Sequence, residues 1–98
     1  MTPLNGKTVI TADVDNTGSV ITLPTEVDGL FFYAELSAVR LHWGDSTVAV
    51  GDIAATDPVI PPGVWIPIDR LPSTHVAAET LEAGITTDLT IVGFAGRV

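Results

Sequence analysis

The chain has no cysteine and only four basic residues among 98, and each shortage excludes something. Without thiols there is no disulfide framework, no thiolate metal site and no cysteine nucleophile. Lys7, Arg40, Arg70 and Arg97 are scattered against twelve carboxylates, for a net charge of −8. Nucleic-acid binding draws on a positive face that releases counterions, and four dispersed cations assemble none. The same sign disfavours anionic membrane surfaces. No apolar run approaches the ~20 residues with which a helix spans a bilayer. The opening stretch, "MTPLNGKTVITADVD", lacks the basic start and long apolar run of a signal peptide, so none is expected.

What is present is apolar. Hydrophobic residues make up 46% of the chain and charged residues 16%, the reverse of a disordered composition. So little charge suits a domain partly buried in an oligomer or larger assembly. The length is that of a single domain, expected to span residues 1–98 with an extended arm at 1–6.

Short β-rich segments separated by turn residues fill the sequence. "KTVITA" (7–12) and "GSVITL" (18–23) flank "DVDNTG", whose Asp, Asn and Gly tolerate left-handed backbone, and together they read as a hairpin. The longest apolar stretch, "GLFFYAELSAVRLHWG" (29–44), alternates with period two and is aromatic, which favours strand over helix. Phe32, Ala34 and Leu36 share one parity and Val39, Leu41 and Trp43 the other, so a β-bulge is expected near Ser37 and Ala38. "STVAVGDIA" (46–54), "GVWIPID" (63–69), "THVAAET" (74–80) and "TDLTIVGF" (87–94) complete the set. About seven short strands with turns between them point to an all-β fold, a small β-sandwich or jelly-roll-like domain.

Candidate chemistry is thin. "DVDNTG" opens like a calcium loop, but the closing glutamate such a loop requires is replaced by Pro24, so no metal is expected. His42 and His75 lie on different strands, and no strained nucleophile turn singles out Ser46 or Ser73. No spacing marks two of the carboxylates as an acid–base pair. The expectation is a non-enzyme without cofactor. Trp43, Trp65, Tyr33, Phe31 and Phe32 could form an aromatic platform for a sugar or a protein, but most are expected in the core, whereas Phe31 and Tyr33 take the parity opposite to Phe32 and so the outward one.

Residues 56–72, "TDPVIPPGVWIPIDRLP", hold five of the seven prolines and one of two tryptophans. Pro58, Pro61 and Pro62 stiffen an extended backbone. Pro67 removes a ladder donor, which places its strand at a sheet edge. Stiff, edge-blocked and apolar, this segment reads either as a docking element or as a rigid crossover between sheets.

The order of pieces from Arg40 to Thr80, a strand ending in "HWG", then "ATDPVIPPG", "VWIPI" and "THVAAET", resembles small structural virion proteins of tailed bacteriophages. The resemblance implies a capsid decoration (cement) protein that binds and stabilises the head exterior, made in the host cytoplasm. Its implied partners are the major capsid protein and copies of itself, as a trimer. A head–tail connector, a tail or head-spike subunit, and a carbohydrate-binding module on a spike or fibre are the alternatives. The expected interface comprises Phe31, Phe32, Tyr33, Val59, Ile60, Pro61, Pro62 and Trp65.

Overall fold

The computed structural model describes residues 8–24, 27, 29–69 and 73–94, so the expected arm at 1–6 lies outside the described residues. Eight strands follow in order: β1 (Thr8–Val14), β2 (Ser19–Thr22), β3 (Gly29–Ala34), β4 (Val39–Gly44), β5 (Val59–Ile60), β6 (Trp65–Asp69), β7 (His75–Thr80) and β8 (Thr87–Phe94). One turn of 3-10 helix spans Val50–Asp52.

The first four strands pair antiparallel with the last four in reverse order: β1 with β8, β2 with β7, β3 with β6 and β4 with β5. Rolling that long hairpin over adds the β3–β8 and β4–β7 pairings. Two four-stranded sheets result, β1-β8-β3-β6 and β2-β7-β4-β5. This is jelly-roll connectivity. The sandwich expectation holds, with eight strands among the described residues in place of about seven.

Each crossover corrects a local reading. The stretches at 7–12 and 18–23 do not form a hairpin, because β1 and β2 belong to different sheets. The turn chemistry itself is as read: Asp15 Oδ1 accepts the N–H of Thr17 (2.9 Å) and the Thr17 hydroxyl (2.6 Å), and Gly18 sits at φ +85°. That turn bends the chain, but burial decides where the next strand goes. Val14 and Ile21 enter the core from opposite sheets.

Nor is there a bulge near Ser37. Residues 35–38 carry the chain from one sheet to the other between β3 and β4, and that crossing resets the inward parity. Phe32 and Ala34 are buried before it, and Val39 and Leu41 after it. The stretch 46–54 is not a strand but a turn-rich connection containing the 3-10 turn. Pro67 does lie on an edge strand, since among the described residues β6 flanks its sheet and pairs only with β3.

Candidate docking surface

Each sheet has one face on the core and one turned outward, and the two outward faces differ. Over β2-β7-β4-β5 the β4–β5 connection folds back, and its 3-10 turn packs on β7. A Cβ built on Gly18 would meet Val50 Cγ1 at 2.5 Å, so Val50 closes tightly over the β1–β2 corner. Ala77 has the outward parity of β7, between the buried Val76 and Ala78, yet is 0% exposed. That outer face is partly covered by the chain's own loop.

The outer face of β1-β8-β3-β6 has no such cover among the described residues. Its register sets side chains in rows across all four strands. One row is Val9, Val92, Phe31 and Pro67, apolar throughout. The next is Thr11, Thr90, Tyr33 and Trp65. An antiparallel sheet with one face in water normally alternates polar residues onto that face. Here Val9 is 54% and Trp65 48% exposed. Tyr33 and Trp65 are directly paired, their ring centroids 4.8 Å apart and tilted by 31°. Phe31, Trp65 and Val92 line a shallow, open hollow of about 270 Å³ with a wholly apolar lining.

A carboxylate row borders this patch. Asp13 and Asp88 are direct cross-strand partners, and Glu35 donates its backbone N–H to the Asp88 carbonyl at 3.1 Å. The hydrogen bond and charge of Asp13, with Glu35 adding to the field, hold the Asp88 carboxyl above its usual range. The apolar rows thus end in a charged rim.

The expected interface residues divide. Phe31, Tyr33 and Trp65 come together on this face. Pro61 and Pro62 are exposed, and Pro62 bridges to Ala34 while Gly63 N–H reaches the Ala34 carbonyl at 2.8 Å, which fixes the entry into β6. Val59 is exposed but belongs to the other sheet. Phe32 and Ile60 are corrections: at 0% and 2% exposed they are core residues, not surface ones. Trp43 is also turned inward and meets Phe32 edge-to-face at 5.4 Å and 87°. Val9, Val92 and Pro67 were missed as surface partners, because their alignment with Phe31 depends on pairing between distant strands. The parity of Val92 in "TDLTIVGF" was the available signal.

The imidazoles are engaged elsewhere. His42 Nδ1 lies 2.9 Å from Asp57 Oδ2, and His75 Nδ1 lies 2.8 Å from the Thr74 hydroxyl. Asp57 also accepts the Ala54 N–H at 2.7 Å, and these two bonds hold its carboxyl below the usual range. The pair ties the β4–β5 connection to β4. Among the described residues no group of three or more His, Asp or Glu is placed to hold a metal ion, and no helix is long and apolar enough to cross a membrane. No family model, curated protein or solved structure matches this chain.

Proposed function

We propose that this chain is a non-catalytic structural protein of a tailed-phage particle, a decoration protein that seats the outer face of β1-β8-β3-β6 on the capsid exterior. The observation that carries the reading is the Phe31, Trp65 and Val92 hollow, continued by Val9, Pro67 and Tyr33. Contiguous exposed apolar surface with a polar rim marks interaction sites on soluble proteins. Aromatic residues dominate the energetics of such sites when a partner excludes water from them. An open sheet face suits a broad protein surface, and the carboxylate row on the same face stands at the rim of the apolar contact.

The order of the segments from Arg40 to Thr80 supplies the virion context, and the acidic balance fits a coat that keeps neighbouring particles apart. A sugar site needs polar groups beside an exposed ring, whereas the hollow is lined by apolar groups alone and Trp43 faces inward. The protein surface is therefore the preferred partner.

The test is the copy number of this chain in purified particles, measured against the major capsid protein by quantitative mass spectrometry. Near-stoichiometric abundance is expected. A few copies per particle would move the chain to the neck, tail or spike, and absence would overturn the virion reading.

A further inference from the structure

A sandwich of two open sheets has four edge strands, and here they are β1, β6, β2 and β5. Exposed edges invite pairing with other chains unless something blocks them. β6 carries Pro67 at its centre. β5 is two residues long and β2 four. β1 has none of these devices: it runs seven residues, TVITADV, without proline or glycine. Among the described residues it pairs with β8 alone. Of its inward side chains Val14 is fully buried, but Ile10 and Ala12 are only partly buried against the core. Among the described residues the sandwich is open beside those two.

We infer that β1 is the contact between two copies of this chain, paired antiparallel across a two-fold axis through Thr11. Centring there pairs all seven residues. Thr8 then faces Val14, Val9 faces Asp13, Ile10 faces Ala12, and Thr11 faces Thr11 of the other copy. The strand's single charge, Asp13, meets an apolar side chain and not another carboxylate, and threonines face each other, a favourable cross-strand pair. The pairing also finishes the burial of Ile10 and Ala12. An isologous contact closes at two copies, so the unit is a dimer, unlike the trimer implied by the resemblance.

The geometry has a consequence for the docking surface. A two-fold axis perpendicular to the sheet keeps both outer faces on the same side. Two β1-β8-β3-β6 sheets become one eight-stranded sheet, with both Phe31, Trp65 and Val92 hollows facing the same way. Two weak seats on one rigid body convert into firm attachment by effective concentration. The self-contact itself does not depend on what the hollows meet.

The absence of native cysteine makes the test clean. Thr11, Val9 and Asp13 are all exposed on the outer face, so single cysteines there should leave the fold intact. Residues directly opposite in an antiparallel pair have Cα atoms ~4.5–5.5 Å apart, within disulfide reach. Two copies of residue 9, or of residue 13, would lie ~13 Å apart along the strands. Under mild oxidation of the full chain, Thr11→Cys is expected to form a covalent dimer at least about tenfold faster than Val9→Cys or Asp13→Cys alone, because only its thiols come within bonding distance. A mixture of Val9→Cys and Asp13→Cys should cross-link as the heterodimer. Sedimentation of the wild-type chain should show dimer, strengthened by salt because each copy carries −8. Equal rates for the three single variants, or a wild-type chain that stays monomeric at high concentration and high salt, would overturn the inference.

Discussion

Replacing Phe32 by alanine and Trp65 by alanine should separate the core from the docking surface. Phe32 is fully buried and packs edge-to-face on Trp43. Truncating a buried phenylalanine costs ~3–5 kcal/mol through lost transfer energy and the cavity left behind. Loss of an aromatic pair adds roughly 0.5–1.5 kcal/mol. A domain of this length has a total stability of roughly 5–15 kcal/mol, so Phe32→Ala should consume about a quarter of it or more. Trp65 stands on an edge strand, half in water, and its contact with Tyr33 is at the surface. Its truncation should cost about 1 kcal/mol, within the range of partly exposed aromatic pairs. Urea unfolding followed by tryptophan fluorescence measures both, since Trp43 remains in each variant. The slope should stay near its wild-type value while the midpoint falls sharply for Phe32→Ala only. A loss below about 1.5 kcal/mol for Phe32→Ala, or a larger loss for Trp65→Ala, would refute the assignment of these two residues.

Other outcomes follow from the corners and the charged rim. Gly18→Ala should destabilise by about 2 kcal/mol, from left-handed strain and collision with Val50, and Val50→Ala should restore part of it. Gly63→Ala has the same backbone sign but open space around the new methyl, so in thermal unfolding it should lose less, about 1 kcal/mol. Asp88 titrates above its ordinary value in the folded chain, so its contribution favours folding at low pH and is lost as pH rises through the raised value. Asp88→Asn should therefore raise the melting temperature at neutral pH, and that gain should vanish below about pH 4. Asp15 has the opposite sign: its carboxyl is lowered by the Thr17 hydroxyl and N–H, so Asp15→Ala should destabilise at neutral pH and lose that effect as the wild-type group protonates in acid.

The sequence made visible what local chemistry decides. The alternation and flanking turns of 87–94 placed β8 at its observed bounds, and Pro67 marked an edge strand correctly. Period-two parity also turned Phe31 and Tyr33 outward. Partner choice was not legible. The Asp15 turn is real, yet nothing in six residues says that β1 will pair with a strand more than seventy residues away. Val48 and Val50 alternate like a strand, but the β4–β5 connection uses them as cover, with Val48 against Gly44 and Val50 against Gly18. β5 escaped notice because two residues carry no period, and Ile60 was misplaced with it. Proline density gave stiffness, but the surface assignment needed the register that aligns Trp65 with Tyr33.

The central claim is that the outer face of β1-β8-β3-β6 seats the chain on a capsid. The most direct measurement adds purified chain to particles assembled without it and counts the copies retained after sedimentation. Phe31→Ser and Trp65→Ser, first shown to be folded by circular dichroism, should lose most of the retained copies. Val20→Ser, exposed on β2 in the other sheet, should load like wild type. Wild-type loading by both Phe31→Ser and Trp65→Ser, or loss confined to Val20→Ser, would contradict the account.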